Sequence, residues 1–284
     1  MTDTHAPGAT DPGARHDWGG DGFQLMREAE VMAPAVDAAI GWLAGQVPDD
    51  AGVLDVGCGP GVAACSFAAL MPEAVVVAAD ASPALLDLAR NRAAVLRVSD
   101  RVSTLLVDLR RDIQVGPRVD LVWAGDVVHH LPDPVLALRT LGSQLRPGGF
   151  LAVREGGLPV RFLPDAVAPG LQPRLDGHVE TDVTDTGTPD AGWPELMAQA
   201  GLRHTATRSF LVDLPAPLST QTRQWLHARL ARIRGHLADA AGARLTGQDD
   251  AALDELLDPM APGGLLLRPD VFVLTAATVY TAQL

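Results

Sequence analysis

Lysine is absent from this chain of 284 residues, and all 22 basic side chains are arginines. Walker-type phosphate loops require a lysine, and Schiff-base chemistry requires a lysine amine, so both kinds of catalysis are excluded. The formal net charge is -13, whereas proteins that bind a nucleic-acid backbone present dense basic surfaces. The sequence therefore predicts a small-molecule partner and no nucleic acid.

Aromatic residues, cysteines and long apolar runs are also scarce. Aromatic residues make up 4% of the chain, so the core must be aliphatic, and the two cysteines, Cys58 and Cys65, do not suggest a disulfide or metal framework. No apolar stretch approaches the roughly 20 residues that span a bilayer. The N-terminus lacks the basic start and apolar run of a secretory signal. We expect a soluble, cytoplasmic protein with no membrane attachment.

Strand-like and helix-like segments alternate between residues 50 and 155. Short buried strands such as "VVVAAD" are each followed by a helical segment, and Ser82 is the expected N-cap of one of these helices. Because parallel strands need crossover connections, the pattern predicts an α/β fold with a doubly wound, Rossmann-like, mostly parallel sheet. Ligands of such sheets bind at the carboxyl ends of the strands.

The predicted organisation is one domain with insertions around this core. Apolar spacing over residues 23–46 predicts two helices with a break at Pro34. Further along the chain, Leu226, Leu230, Ile233 and Leu237 share one face of a helix. The expected parts are a disordered tail (1–17), a helical cap (18–48), a cofactor-binding core (50–155), a lid or substrate loop (156–190) and a C-terminal half (191–284) with a helical insert (218–258).

The stretch "VLDVGCGPG", residues 53–61, joins the first strand of the core to a helix. Gly57 and Gly59 fit the start of a dinucleotide fingerprint, but Val62 stands where that fingerprint needs a third small residue. Asp55 would repel a pyrophosphate and would suit an ammonium group. The loop therefore favours a cofactor that carries an amino acid.

Two more acids end the next two strands. Asp80 is placed to accept hydrogen bonds from both hydroxyls of a ribose. Asp108 could accept a proton of an adenine amino group. Three acids at successive strand ends indicate one extended cofactor site.

Five stretches in this order resemble the class I S-adenosylmethionine-dependent methyltransferases, namely "VLDVGCGPG", "VVAADASPALLDLAR", "LLVDLRRD", "DLVWAGDVVHHLPD" and "LRPGGFLAVRE". The resemblance implies a seven-stranded sheet whose last strand is antiparallel to the rest. It implies S-adenosyl-L-methionine as cofactor and methyl transfer as activity. The implied cofactor-binding residues are Asp55, Gly57, Cys58 and Gly59 around the methionine part, Asp80 and Ala81 at the ribose, Asp108 and Leu109 at the adenine, and Gly125 beneath the sulfonium.

His129, His130 and Asp126 are the candidate catalytic residues, since they follow the fourth strand where this family places its active-site groups. A histidine suits the role of general base near neutral pH. Adjacent residues at a helix entry point about 100° apart, so the two histidines cannot face a substrate equally. Asp126 could orient a histidine or contact the substrate, and which histidine acts stays open.

Arg154 and Glu155 end the fifth strand and face the same cleft, where an arginine could clamp a substrate carboxylate. The weaker candidates are Arg161, Arg174, Trp18 and Arg27.

Three alternatives stay open. One is an NAD(P)-dependent oxidoreductase on a similar fold, and another is a non-catalytic protein that keeps the cofactor site. The third adds a metal bound by His129, His130 and Asp126, although our primary expectation is no metal. The acceptor, the methylated atom (oxygen, nitrogen or carbon) and a homodimer are also open. The all-arginine composition suggests a GC-rich bacterial genome and a small acceptor from specialised metabolism.

Overall fold

The computed structural model describes residues 22–111, 116–176, 192–239 and 245–284. The expected tail over residues 1–17, Trp18, and most of the second half of the expected lid loop lie outside these residues. Within them, no helix has the length and apolar character needed to cross a membrane.

Seven strands build the sheet: β1 (Gly52–Val56), β2 (Val75–Asp80), β3 (Val102–Leu106), β4 (Val119–Gly125), β5 (Leu145–Arg161), β6 (Arg203–Leu214) and β7 (Val273–Gln283). The labelled helices are α1 (Gly22–Ala44), α2 (Val62–Leu70), α3 (Pro83–Val95), α4 (Pro134–Gly142), α5 (Trp193–Gln199), α6 (Thr220–Asp239) and α7 (Gly247–Leu257). A 3₁₀ turn, Val128–His130, follows β4.

The strand order is β3-β2-β1-β4-β5-β7-β6. β1 pairs in parallel with β2 and β4, and β4 pairs in parallel with β5, whereas β7 runs antiparallel to both of its neighbours. The predicted seven-stranded, Rossmann-like sheet is thereby confirmed. Strand order reverses between β1 and β4, so their carboxyl ends form the crevice where such sheets bind ligands.

Mainly aliphatic side chains, together with buried aromatic ones such as Trp123 and Phe67, fill the two faces of the sheet. Val53, Leu54 and Val56 of β1 are at most 1% exposed, as expected for a strand covered by helices on both sides. The Ser82 cap is confirmed, because its hydroxyl accepts a hydrogen bond from the N–H of Leu85 at 3.4 Å. Pro83 stands at the first helical position of α3, where a missing N–H costs nothing.

The expected break at Pro34 was wrong, since α1 runs through it as one helix. Val31, Ala35 and Ile40 keep the buried face of the helix continuous across the proline. Pro34 is exposed, and so is Glu30, whose carbonyl loses its helical partner to the proline ring. Because this side of the helix is exposed, water can bond that carbonyl in place of the missing N–H. The packing of the apolar face then outweighs the lost helical hydrogen bond.

β5 is longer than the sequence suggests and extends past Glu155 into the segment expected to be a loop. Gly156 and Gly157 make this extension feasible, with φ values of +68° and +145° at a shift of register against β7. A Cβ on Gly157 would lie 1.7 Å from the carbonyl oxygen of Ala276. Only glycine fits there, and the sequence pattern gives no hint of this close approach.

Candidate active site

The glycine loop between β1 and α2 contains two glycines that are closely packed and one that is open. Gly57, Gly59 and Gly61 have φ values of +66°, +53° and +76°, which L side chains rarely adopt. A Cβ on Gly57 would lie 2.6 Å from Val127, and one on Gly61 would lie 2.6 Å from Ala89. A Cβ on Gly59 would meet nothing within 4 Å. Gly59 therefore marks the open side of the loop, where a ligand can approach the backbone.

Asp55, at the end of β1, is a buried acid with an unsatisfied oxygen. Its side chain is 2% exposed, and its Oδ2 has no hydrogen-bond partner among the described residues. Burial raises the pKa of Asp55 to about 7, the charge of Asp80 adds to the rise, and a backbone hydrogen bond and the charge of Arg154 oppose it. A buried, orphaned carboxylate is stabilised by a cation, so the site fits an ammonium group.

Asp80 ends β2 and braces the glycine loop. Its Oδ2 accepts a hydrogen bond from the N–H of Gly59 at 2.9 Å, and its Oδ1 accepts one from the N–H of Ser82 at 2.8 Å. Burial raises the pKa of Asp80 against these two bonds. Each oxygen keeps a further lone pair, and the neighbouring Ala81 is exposed. The carboxylate can thus hold the loop and still accept hydrogen bonds from a ligand.

Asp108 and Leu109 follow β3. Asp108 accepts two hydrogen bonds from the guanidinium of Arg110, at 2.9 Å from Nε and 3.0 Å from Nη2. The hydrogen bond with Arg110 holds the pKa of Asp108 below its usual value. Leu109 packs partly buried on the neighbouring core. The sequence analysis did not single out Arg110, because its pairing with Asp108 depends on the conformation of the turn after β3.

Cys58 lies within the glycine loop at 7% exposure. Its backbone N–H donates to the carbonyl of Ala79 at 3.0 Å, which ties the loop to β2. Burial raises the pKa of the Cys58 thiol, so the side chain stays protonated and packs as a small apolar group.

His129 is held by Glu155 on the adjacent strand. Glu155 is 3% exposed, and its Oε2 lies 2.6 Å from Nδ1 of His129. Its Oε1 accepts the N–H of Val128 at 2.9 Å, so one carboxylate fixes both the turn and the ring. Because Nδ1 is hydrogen-bonded to the carboxylate, Nε2 is the ring nitrogen that remains available to take up a proton.

Competing effects set the proton affinity of His129. Burial lowers its pKa, but the hydrogen bond and charge of Glu155, together with the charge of Asp126, outweigh burial and raise it. The ring of His130 contacts that of His129 with centroids 3.8 Å apart and an angle of 46° between the ring planes, and His130 is the more exposed of the two. The two histidines are therefore not equivalent.

Asp126 follows β4 in a strained conformation, with φ of +52°. Non-glycine residues held in this region cost about 1–3 kcal/mol and cluster at functional sites. The side chain of Asp126 is 48% exposed and forms an ion pair with Arg154. Burial raises the pKa of Asp126 to about 6; Arg154 and His129 oppose this rise, while Glu155 and Glu28 add to it.

Arg154 is already paired with Asp126 and is 13% exposed. Its Nε is buried and has no acceptor among the described residues. A Cβ on Gly125 would lie 3.3 Å from that Nε and 3.0 Å from the indole nitrogen of Trp123. The arginine and the tryptophan occupy the space around Gly125, so a larger residue would crowd them.

The remaining arginine candidates differ from this cluster. Arg161 pairs with Asp165 at 2.9 Å, and the Nε of Arg174 donates to buried Asp249 at 3.0 Å, so both have structural partners. Within residues 22–111, 116–176, 192–239 and 245–284, no group of three or more His, Cys, Asp or Glu side chains could hold a metal.

The geometry thus brings two groups of residues together at the carboxyl ends of the strands. Asp55, Gly59 and Asp80 form the first group around the glycine loop. Asp126 and His129 form the second, with Arg154 and Glu155 behind them. β4 pairs with both β1 and β5, with Asp55 opposite Trp123 and Gly125 opposite Arg154, so the two groups lie at the same ends of neighbouring strands.

Comparison with known proteins finds similarity to methyltransferases. Residues 54–151 match a family model described as a methyltransferase domain. A trans-aconitate 2-methyltransferase of Methylobacterium radiotolerans is 30% identical over 74% of this chain and 71% of its own length. A 27-O-demethylrifamycin SV methyltransferase of Amycolatopsis mediterranei is 33% identical over 45% of this chain and 47% of its own length.

The matched region spans 29% to 56% of the length of several further curated relatives. Among solved structures, a methyltransferase of Thiobacillus denitrificans in complex with S-adenosyl-L-homocysteine is similar, with a TM-score of 0.50 and 19% identity. That similarity covers 88% of this chain and 91% of that protein. At this identity it supports the fold of the chain.

Proposed function

This chain belongs to the class I S-adenosylmethionine-dependent methyltransferases, whose cofactor is S-adenosyl-L-methionine, and from that premise we propose that it methylates a hydroxyl group of a small molecule. The observation that carries the choice of a hydroxyl is the imidazole of His129, which Glu155 holds at 2.6 Å. A hydroxyl must lose its proton to become a good nucleophile, so it benefits most from such a base. The A. mediterranei relative is named for an oxygen position, which fits this choice.

The residues of the first group fit the cofactor. Asp55, with its unpaired buried oxygen, would hold the ammonium of the methionine part, with Cys58 and the open backbone at Gly59 beside it. Asp80, next to Ala81, would accept hydrogen bonds from the ribose hydroxyls through its remaining lone pairs. Asp108 and Leu109 would hold the adenine, and Gly125 would leave room for the sulfonium.

The chain's own residues then have two tasks. When bound, the cofactor supplies a methyl group that is already activated, so the protein mainly aligns the nucleophile and excludes water. Nε2 of His129 takes the proton of the acceptor hydroxyl, while Glu155 keeps the ring oriented and stabilises its charged form. Asp126, in its ion pair with Arg154, lies beside this base and faces the acceptor. Such a base contributes ~10²–10⁴ in rate.

Substitution of the two histidines tests this proposal. Turnover is measured with methyl-labelled cofactor and a panel of hydroxyl-bearing small molecules, and the best acceptor is kept for the variants. His129→Ala is expected to lower kcat by about 10² or more, with unchanged affinity for S-adenosylhomocysteine. His130→Ala, the matched control, should retain most of the turnover. Full turnover in His129→Ala would contradict the role of His129 as base.

A further inference from the structure

Two buried polar atoms of opposite character lie unpaired at the carboxyl ends of β1 and β5. Oδ2 of Asp55 is a hydrogen-bond acceptor when the acid is ionised, Nε of Arg154 is a donor, and neither atom has a partner among the described residues. Asp55 is 2% exposed, and the side chain of Arg154 is 13% exposed. A buried polar atom without a hydrogen bond is unfavourable, so both atoms favour a ligand that supplies the missing partner.

The register of the sheet places Asp55 and Arg154 on one face, on either side of Gly125. Asp55 pairs with Trp123 across β1 and β4, and Gly125 pairs with Arg154 across β4 and β5. Paired residues of neighbouring strands share a face of the sheet, and so do residues two apart on one strand. The strands that carry Asp55 and Arg154 are therefore about 10 Å apart, with β4 between them. Because Gly125 has no side chain, β4 leaves space between the acid and the arginine.

Trp123 contributes a second N–H donor beside the same space. A Cβ on Gly125 would lie 3.0 Å from the indole nitrogen of Trp123 and 3.3 Å from Nε of Arg154, so both nitrogens border it. The indole is held by an edge-on contact with Phe67, with ring centroids 5.7 Å apart, and the guanidinium is held by the ion pair of its Nη2 with Asp126. Two N–H donors in fixed positions suit the oxygens of a carboxylate.

We propose that Nε of Arg154 and the indole N–H of Trp123 bind the carboxylate of the methionine part of S-adenosyl-L-methionine. The ammonium on the same carbon atom would then lie toward Asp55, so one α-amino-acid group satisfies both unpaired atoms. A carboxylate of the acceptor could bind the same donors, but on its own it would leave Asp55 without a partner. The inference rests on the proposed role of Asp55 and does not depend on which acceptor is methylated.

Calorimetry with three related ligands tests this site. S-adenosylhomocysteine carries both the ammonium and the carboxylate, its decarboxylated analogue carries the ammonium alone, and methylthioadenosine carries neither group. The wild-type protein should bind S-adenosylhomocysteine about tenfold or more tightly than the decarboxylated analogue, because hydrogen bonds to charged groups are among the strong ones. Arg154→Gln should lose this preference, because its affinity for S-adenosylhomocysteine falls while its affinity for the decarboxylated analogue stays nearly unchanged.

Two further variants provide an independent test and a matched control. Trp123→Phe keeps an aromatic ring and removes the N–H, so it should weaken binding of S-adenosylhomocysteine about threefold and leave binding of the decarboxylated analogue unchanged. This variant decides the inference if Arg154→Gln does not fold. Arg161→Gln is the control, since Arg161 is an exposed arginine of the same strand, paired with Asp165. It should bind all three ligands as the wild type does.

Each outcome decides the inference. A preference for the carboxylate in the wild type and in Arg161→Gln, lost in Arg154→Gln and reduced in Trp123→Phe, supports it. It is overturned if the wild type binds S-adenosylhomocysteine and the decarboxylated analogue alike. It is also overturned if either folded variant, Arg154→Gln or Trp123→Phe, keeps the full preference. Equal binding of the decarboxylated analogue and methylthioadenosine by the wild type would instead count against the proposed role of Asp55.

Discussion

At the scale of single residues, the carboxylate of Glu155 does most to determine the chemistry of the cleft. It accepts the N–H of Val128 at 2.9 Å and contacts Nδ1 of His129 at 2.6 Å. Because Glu155 is 3% exposed, water does not compete strongly for these bonds. The orientation of the imidazole therefore depends on Glu155, which also raises the proton affinity of the ring together with Asp126. Glu155 acts on the reaction through the histidine and is a positioning residue.

Glu155→Gln gives a prediction for the pH dependence of the reaction. The base must be neutral to accept a proton, so the rate rises as pH passes upward through the pKa of His129. The hydrogen bond and charge of Glu155 raise that pKa above its ordinary value. Glutamine keeps the shape and removes the charge, so the rising limb of the pH–rate profile should move to lower pH, and the maximal rate should fall.

A purely structural role for Glu155 would lower the rate without moving that limb. Glu155→Asp, which keeps the charge, should leave the limb closer to its wild-type position. A profile that stays in place in Glu155→Gln would show that this carboxylate does not tune His129.

At the scale of elements, the turn between β1 and α2 contains neighbouring glycines with different roles. One is required by close packing, and the other leaves space for a ligand. Gly57 lies against Val127, just before the 3₁₀ turn that carries the histidines, and Gly59 lies against open space. Both have positive φ values. The first glycine therefore sets the distance between two site-forming segments, and the second leaves room for a ligand.

Alanine substitutions at these two glycines should separate stability from binding. Gly57→Ala combines a left-handed backbone with overpacking against Val127 and should lower the free energy of unfolding by about 2–5 kcal/mol. Gly59→Ala carries only the backbone penalty, about 1–2 kcal/mol, but should weaken S-adenosylhomocysteine binding strongly. Chemical denaturation and calorimetry measure the two effects. Equal stability losses with unchanged affinity in both variants would contradict this division.

Three features show how much of the structure can be predicted from the sequence alone. The strands that end near Asp55, Asp80 and Gly125 are predictable, because a short apolar run followed by an acid or a glycine is visible within a few residues of sequence. The continuity of α1 across Pro34 is not predictable from the sequence, because it depends on whether the proline lies on the exposed or the buried side of the helix. The contact of Glu155 with His129 joins residues 26 positions apart, and the register between β4 and β5 creates it.

At the scale of the whole molecule, the site lies at the carboxyl ends of the central strands. β1, β4 and β5 deliver acids and the histidines there, where strand order reverses. α1 lies outside the matched region of residues 54–151, and the charge of its Glu28 acts on Asp126. The matched region therefore carries the motifs that indicate the cofactor, whereas the acceptor cannot be read from them.

The central claim is that the strand ends around Asp55, Gly59 and Asp80 form a site for S-adenosylmethionine and not for a dinucleotide. Calorimetric titration of the purified protein with S-adenosylhomocysteine, and separately with NAD⁺, tests it most directly. The account predicts saturable binding of S-adenosylhomocysteine at one site per chain and no binding of NAD⁺. Saturable binding of NAD⁺ with no binding of S-adenosylhomocysteine would contradict it.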